Sequence, residues 1–217
     1  MKKRKTPIAY KTYRKNKINL IKPTSFPKIK VVDILDEKKI ANNIGKKDLF
    51  GQFAISAFGN TNFTKNRKQI VRRTVPSGGC THPTEVYFIF PKNSFYPLGV
   101  YHYDVNDHVL NIIQDVNVWE SFLDATNLTL NLNKDGEFGV IYTSMVERAM
   151  FRYRDIRSTR AIFGDLGHII QNAKYIGAAL GFSSITELKN KESILKDILK
   201  LNTSTEPVLA TQIYTKI

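Results

Sequence analysis

The residues best suited to chemistry lie in the stretch MFRYRDIRSTRAIFGDLGHIIQ, from Met150 to Gln171. Its start alternates aromatic and cationic side chains: Phe151, Arg152, Tyr153 and Arg154. Arg157 and Arg160 follow at a spacing of three, which places both on one face of a helix. Several guanidinium groups beside a phenol suit a phosphate-bearing ligand or a reaction in which charge must be managed. The alternative is a solvated basic helix next to a core helix, and this stretch alone does not decide between them.

A second candidate site is a glycine-containing loop within residues 71–90, VRRTVPSGGCTHPTEVYFIF. The pair Gly78 and Gly79 has no side chains, so backbone N–H groups can approach a flat or phosphorylated ligand closely. Residues that could border such a ligand surround the pair: Arg72, Arg73, Pro76, Ser77 and His82. A plain turn between two elements is the simpler interpretation of two glycines. The density of arginine, glycine and histidine in a dozen residues favours a binding site.

Several other kinds of site are not indicated by the sequence. It contains no GxGxxG motif and no Walker loop, so a Rossmann or P-loop nucleotide site is not expected. His102 and His108 are separated by a turn, and no cluster of cysteines or carboxylates completes a metal-binding set with them. We therefore predict no metal, and we interpret both histidines as structural or exposed.

The formal net charge of +14 is concentrated at one end of the chain. Residues 1–30 hold eleven of the 33 Lys and Arg and none of the 19 Asp and Glu, so 22 basic and 19 acidic residues leave the remainder near +3. A polybasic segment can bind nucleic acid, an acidic partner or an anionic membrane surface, or it can be a solvated terminus. Its prolines and scattered lysines favour a flexible basic arm, and we predict no nucleic-acid partner.

The rest of the composition is that of a single domain in a chain of 217 residues, long enough to bury a real core. Cys80 is the only cysteine, so no internal disulfide can form, which fits a reducing cytoplasm. No apolar run is long enough to cross a bilayer, and the basic start lacks the apolar segment of a secretory signal. We therefore predict a cytoplasmic protein with a basic arm at 1–30 and one domain at 31–217.

The elements that must position these residues mix strands and helices irregularly, which predicts an α+β fold rather than a doubly wound sheet. Apolar residues at helical spacing predict an amphipathic helix over 44–59. Further helices are predicted over four ranges: 31–39, 119–125, 165–180 and 193–201. Aromatic and β-branched runs predict four strands: 85–90, 98–103, 138–144 and 207–214. We expect Asp165 to cap its helix and residues 104–107 to form a hairpin turn.

Taken together, these stretches resemble the SagB-type dehydrogenases of the FMN-dependent nitroreductase superfamily. The resemblance begins with Arg72-Arg73-x-x-Pro76-Ser77-Gly78-Gly79-x-x-His82-Pro83-x-Glu85. It continues through Gly99-Val100-Tyr101-His102-Tyr103-Asp104, the Phe151–Arg154 run with Arg157 and Arg160, Gly167-His168-x-x-Gln171, and Glu206-Pro207-Val208. Order and spacing agree from about residue 30 to the end, and several motifs in register are more specific than any one alone.

The resemblance implies a nitroreductase-like α+β fold, with a central, mostly antiparallel sheet flanked by helices and FMN held in an intertwined homodimer. It implies oxidation of azoline rings, formed from Cys, Ser or Thr, to thiazoles and oxazoles in a ribosomally made precursor peptide such as a bacteriocin. A cyclodehydratase would supply that substrate. The step removes two hydrogens: a base takes the proton at ring C4, hydride leaves C5 for flavin N5, and dioxygen reoxidises the flavin.

Cofactor-binding residues follow from the same resemblance: Arg72, Arg73, Pro76, Ser77, Gly78, Gly79, His82, Lys46, His168 and Gln171. The loop from Ser77 to Gly79 is expected against the flavin ring, with one of the two arginines near its phosphate or ribityl chain. His168 and Gln171 are expected to border the cofactor from their helix. Lys46 falls where such enzymes commonly carry an Arg-x-Ser-x-Arg phosphate motif, and a lysine can bind phosphate as a point charge.

The resemblance also implies a catalytic pair at Arg152 and Tyr153. Tyr153 takes the place of the tyrosine in the family's Lys-Tyr pair, while Arg152 stands where the lysine would be. An arginine is effectively never deprotonated, so Arg152 cannot be the general base. It can still orient Tyr153 or favour its ionised form electrostatically.

Three functions remain open at this point. The first is the azoline oxidase, favoured by the Tyr153 motif and the His82 loop. The second keeps the flavin but reduces a dehydroamino acid, quinone or nitro compound with NAD(P)H, which rapid bleaching of the flavin would reveal. The third is a non-catalytic docking or scaffold subunit of a peptide-modifying complex, whose basic arm binds a peptide or nucleic acid and which takes up no flavin. No separate leader-recognition domain is expected ahead of residue 30.

Overall fold

The computed structural model describes residues 11, 13, 17–20, 22, 46–61, 72–94, 96–126, 137–201 and 204–216. The strands are β1 (Lys17–Asn19), β2 (Thr84–Phe90), β3 (Gly99–Asp104), β4 (Val109–Gln114), β5 (Phe138–Ser144), β6 (Phe182–Glu187) and β7 (Val208–Lys216). The helices are α1 (Lys46–Phe58), α2 (Trp119–Ala125), α3 (Val146–Tyr153), α4 (Arg157–Ala179) and α5 (Glu192–Leu199), with a short 3-10 turn at Gly78–Cys80. None of the helices within these residues is long and apolar enough to cross a membrane.

The strands form one sheet in the order β1-β4-β3-β2-β5-β7-β6, and every neighbouring pair is antiparallel. All residues of the adjacent strands β2 and β5 are buried, because helices cover both faces of the sheet. Their nearly unbroken apolar and aromatic runs are typical of strands buried on both faces. The fold is therefore α+β with an antiparallel central sheet, as the sequence predicts.

Two apolar cores form, one on each face of the sheet. The larger lies beneath α1 and α4, where the rings of Phe50 and Phe53 each have their centroid 5.3 Å from that of Phe138 in β5. The second lies beneath α2 and α5. Helix α4 sits close to the sheet, since a β-carbon at Gly177 would stand 2.6 Å from the ring of Tyr214. This close packing fixes α4 over the sheet, and α4 carries part of the candidate site.

Most predicted elements are present with bounds close to those expected. The observed α2 and β5 begin and end at the predicted residues, and the hairpin of β3 and β4 lies where it was expected. The sequence pattern does not predict β6, whose serines and threonine give it the composition of a loop. Helix α4 begins at Arg157 instead of near residue 165, so that prediction of its start is wrong. The predicted helix over 31–39 lies outside the described residues.

The segment predicted to be a basic arm makes contacts with the sheet where it is described. Lys17–Asn19 forms strand β1 against β4, and Leu20 is buried. The Lys11 ammonium forms an ion pair with Glu206, a carboxylate that also accepts a hydrogen bond of 2.9 Å from the Tyr87 hydroxyl. A free arm would make none of these contacts. The division of the chain at residue 30 nevertheless stays a prediction.

Candidate functional site

A tight turn between Pro76 and Pro83 forms the centre of the candidate site. Backbone hydrogen bonds from Cys80 N to Ser77 O (3.1 Å) and from Thr81 N to Gly78 O (3.3 Å) close it. Gly79 adopts a φ of 60°, which glycine accepts readily. Cys80 and His82 also have positive φ, 54° and 43°, and a residue with a side chain adopts this conformation at roughly 1–2 kcal/mol. The turn therefore depends on contacts that hold it in place.

Asp165 holds the turn from α4. Its Oδ1 accepts a hydrogen bond from Gly78 N at 2.9 Å, and its Oδ2 accepts one from the Ser77 hydroxyl at 2.5 Å. The Ser77 oxygen in turn accepts a bond of 2.8 Å from His82 N. The prediction that Asp165 caps its helix is wrong, because α4 already begins at Arg157 and Asp165 lies in its interior. Its carboxylate binds a loop far away in sequence instead of its own helix.

The opposite side of the turn packs against the end of α3. A β-carbon at Gly78 would stand 2.9 Å from the phenol oxygen of Tyr153, and one at Gly79 would stand 2.9 Å from Cγ of Arg152. Contacts under 3.0 Å are too short for a β-carbon, so a side chain at either position would force Tyr153 or Arg152 to shift. The glycine pair is therefore in contact with Arg152 and Tyr153, although more than 70 residues separate them along the chain. The family resemblance implies that both belong to one site.

Helix α3 is itself anchored by a buried ion pair. Arg148 Nη1 lies 2.5 Å from Glu85 Oε1 and donates a hydrogen bond of 3.2 Å to the carbonyl oxygen of His82. Glu85 also bonds His102 Nε2 at 2.7 Å. Burial alone would raise the pKa of Glu85, but the hydrogen bond with His102 and the charge of Arg148 lower it to about 2. Arg148 therefore ties α3, four residues before Arg152, to the turn.

Three residues hold the site together in a way that the sequence does not predict: Asp165, Arg148 and Glu85. A charged side chain within an otherwise apolar strand is the signal that could have found Glu85, which is the second residue of the fully buried strand β2. His102 and His108 are both buried, and the latter bonds the Tyr103 hydroxyl through Nδ1 at 2.8 Å. Both histidines are therefore structural.

A small cleft opens beside the turn. Its lining includes Arg73, Val75, Pro76, Ser77, His82, Thr84, Asp165 and Ile169. Arg73 is buried and donates a bond of 3.4 Å from Nη1 to the Thr84 carbonyl oxygen, whereas the neighbouring Arg72 is exposed. The two arginines are both predicted to bind the cofactor, but they occupy different environments. Of the two, only Arg72 has an exposed side chain that an external anion could reach.

The remaining predicted site residues are His168, Gln171 and Lys46. His168 and Gln171 are exposed on α4, and His168 lies one helical turn after the buried Asp165. Within the described part of the chain, no hydrogen bond or ion pair links either of them to the turn. Lys46 is the first residue of α1, and its side chain lies outside the described residues. Among the described residues, no group of three or more His, Cys, Asp or Glu could hold a metal ion.

Two curated proteins are related to this chain in sequence, although no family model matches it. It is 34% identical over 143 residues to the trifolitoxin-processing protein TfxB of Rhizobium leguminosarum bv. trifolii. It is 24% identical over 148 residues to the microcin B17-processing protein McbC of Escherichia coli. These alignments cover 64% and 66% of this chain but 38% and 54% of the relatives. The chain therefore spans only about half of their length or less.

Solved structures share the fold. A protein of Anabaena variabilis described as a nitroreductase superposes with a TM-score of 0.77 at 20% identity, covering 98% of this chain and 41% of that chain. A chain of the E. coli microcin synthetase McbBCD complex gives 0.67 at 19%, covering 93% and 79%. A Staphylococcus epidermidis protein described as an NAD(P)H:FMN oxidoreductase gives 0.57 at 6%, covering 89% and 90%. The chain therefore has the nitroreductase fold, and its sequence is similar to TfxB and McbC.

Proposed function

We propose that this chain is an FMN-dependent dehydrogenase that oxidises azoline rings in a ribosomally made peptide to thiazoles or oxazoles. The observation that carries the proposal is the packing of the glycine turn against Arg152 and Tyr153, which joins the two predicted halves of the site. Both sequence relatives are named as processing proteins of peptide products, trifolitoxin and microcin B17. The names support a role in processing a product of this kind, and the packing supplies a site in which the reaction could occur.

The residues around the turn fit a flavin mononucleotide in two respects. Gly79 is exposed, so its backbone can approach a flat ring on the side that the Arg152 side chain does not cover. Arg72 is exposed beside the turn and can pair with a phosphate group. When bound, FMN supplies the acceptor for the hydride that leaves the azoline ring.

Tyr153 is the residue that would move the proton. Azoline oxidation removes a hydride and a proton, so the ring carbon that loses the proton needs a nearby acceptor. Arg152 stays protonated and cannot serve. The Tyr153 phenol is half-buried with its oxygen against the position of Gly78, and the Arg152 side chain passes beside Gly79. We infer that Tyr153 accepts the proton as a phenolate and becomes the neutral phenol, and that the adjacent guanidinium stabilises the phenolate before the transfer.

The expected partners follow from the relatives and from the exposed face of α4. The E. coli structure is a complex of several components with a truncated pro-MccB17 bound. By analogy, we infer that a cyclodehydratase and a precursor peptide act with this chain in the cytoplasm. Exposed apolar side chains on or beside α4, Ile156, Phe163 and Tyr175, offer a surface for the predicted homodimer.

The first test is the visible absorption spectrum of the purified chain before and after addition of FMN. A bound flavin would be followed by incubation with an azoline-containing peptide and mass spectrometry, with loss of two hydrogens per ring as the expected result. Flavin uptake without any loss of mass from such peptides would refute azoline oxidation. A protein that takes up no flavin would instead favour a non-catalytic subunit of a peptide-modifying complex.

A second candidate function is reduction of a nitro, quinone or dehydroamino acid substrate by NAD(P)H through the same flavin. It is favoured by Arg152 in place of the expected lysine and by the structural neighbour described as an NAD(P)H:FMN oxidoreductase. Anaerobic mixing of the flavin-loaded protein with NADPH or NADH separates the two functions. Rapid bleaching of the flavin would support the reductase, whereas slow bleaching together with azoline turnover would support the oxidase.

A further inference from the structure

The glycine turn is held between two buried charged side chains from different helices. Asp165 of α4 binds its beginning, through Ser77 and the backbone N–H of Gly78. Arg148 of α3 binds its end, through the carbonyl oxygen of His82. Both charged side chains are more than nine-tenths buried. The turn is thus clamped at both ends, and α3 also carries the two proposed catalytic residues.

The clamp on the α4 side is a chain of hydrogen bonds that requires a carboxylate. An ionised carboxylate only accepts, and Asp165 offers one oxygen to each of two donors. The Ser77 hydroxyl gives its proton to Asp165 and can therefore accept the N–H of His82. An amide in place of the carboxylate would turn an NH2 group towards either Ser77 or Gly78. That NH2 group would then face a hydrogen-bond donor, either the Ser77 hydroxyl or the Gly78 N–H, which needs an acceptor.

We propose that Asp165 is the positioning residue of the site, which sets the Gly78–Gly79 backbone against Tyr153 and Arg152. This inference rests on the proposed function and adds the group that fixes its geometry. Asp165 touches neither proposed catalytic side chain through a hydrogen bond of its own. It acts through the turn, whose left-handed residues Cys80 and His82 would relax to other conformations if the anchor were lost.

Cys80 makes the position of the turn measurable without any substrate. It is the only cysteine of the chain, it is exposed, and it lies within the turn. We would measure its alkylation rate by iodoacetamide at fixed pH in Asp165→Ala, Asp165→Asn, Ser77→Ala and the unchanged protein. Asp197→Asn, an exposed carboxylate on α5, is the matched control.

We expect Asp165→Ala to change the Cys80 alkylation rate by about tenfold or more, because two hydrogen bonds to a charged group are lost. Asp165→Asn and Ser77→Ala should change it less, and Asp197→Asn should stay within twofold. In the flavin-loaded enzyme, Asp165→Asn should lower kcat about tenfold or more while KM for the peptide stays within about threefold. Because a smaller folded fraction would lower the apparent kcat at unchanged KM, kcat is calculated per bound flavin instead of per total protein.

The proposal is overturned if Cys80 reactivity in folded Asp165→Asn and Ser77→Ala proteins equals that of the unchanged chain. It is also overturned if reactivity changes but kcat does not. If Asp165→Ala fails to fold, the other two variants still decide the question, since each keeps a polar or small side chain at its position. Absence of flavin in the unchanged protein would defeat the proposed function, and the alkylation rates would still report separately on whether Asp165 holds the turn.

Discussion

The phenol oxygen of Tyr153 lies 2.9 Å from the point where a β-carbon on Gly78 would stand. Gly78→Ala should therefore push the phenol away from the turn, with little room on the other side because Ala161 Cβ would be only 3.2 Å from the new carbon. We expect a loss of about 1–3 kcal/mol in unfolding free energy and a larger loss of turnover. Urea denaturation and single-turnover kinetics measure the two effects.

Gly164→Ala is the matched control for that substitution. Gly164 lies within α4, and no heavy atom among the described residues comes within 4 Å of a β-carbon placed there. Alanine should stabilise the helix by up to about 1 kcal/mol. Combining Gly78→Ala with Tyr153→Phe provides a second check, because removal of the hydroxyl removes the shortest contact. If Gly78→Ala is equally damaging with Phe at 153, the close approach to the phenol oxygen does not explain the glycine.

Tyr153→Phe tests the proton acceptor itself. The ring and its packing against the turn are kept, so FMN should bind as before, whereas turnover should fall by about 10²–10⁴-fold, the usual contribution of a positioned acid or base. Flavin fluorescence titration and azoline turnover are the two measurements. Arg152→Lys is the companion variant, since it restores a Lys-Tyr pair and should retain turnover. Unchanged turnover in Tyr153→Phe would remove the phenol from the mechanism.

The sequence predicts the parts of this molecule whose signals are local. The apolar runs of β2 and β5, the spacing of Phe50 and Phe53 in α1 and the turn between β3 and β4 each carry a pattern within a few neighbouring residues. Strand β6 does not, because Ser183, Ser184 and Thr186 leave it half-buried at the sheet edge. Only Phe182 of this strand is buried, so no continuous apolar pattern marks it.

The anchors of the site are the part that sequence reasoning could not reach. Asp165 resembles a helix cap because Asp is common at helix starts, and the choice of partner is made by tertiary packing. Its partners Ser77 and Gly78 lie 88 and 87 residues away. No periodicity or spacing reports a contact at that range. The family resemblance predicts the glycine turn and the Tyr153 motif, but it does not predict that Asp165 and Arg148 hold the turn in place.

Acid should weaken the fold through Glu85. Its folded-state pKa of about 2 lies below its ordinary 4.5, so it stabilises the folded protein above pH 4.5, and this contribution is lost as the pH falls towards 2. The shift corresponds to about 3 kcal/mol as an order of magnitude. Glu85→Gln should flatten the dependence of unfolding free energy on pH between about 5 and 2. If the unfolding free energy of that variant falls just as steeply with decreasing pH, other carboxylates cause the loss of stability in acid.

Arg72 and Arg73 should respond differently to removal, although they are neighbours in sequence. Arg73 is 8% exposed and bonds the Thr84 carbonyl, so Arg73→Ala should lower stability by about 1–3 kcal/mol. Arg72 is exposed, so Arg72→Ala should leave the thermal midpoint nearly unchanged. If its guanidinium pairs with the cofactor phosphate, the dissociation constant for FMN should rise on the order of tenfold. The difference between the variant and the unchanged protein should shrink at high salt, because screening weakens exposed charge pairs.

Riboflavin, which lacks the phosphate, should bind the Arg72 variant and the unchanged protein equally well. A matching loss of riboflavin affinity would place Arg72 near the ring or ribityl chain and refute the phosphate contact.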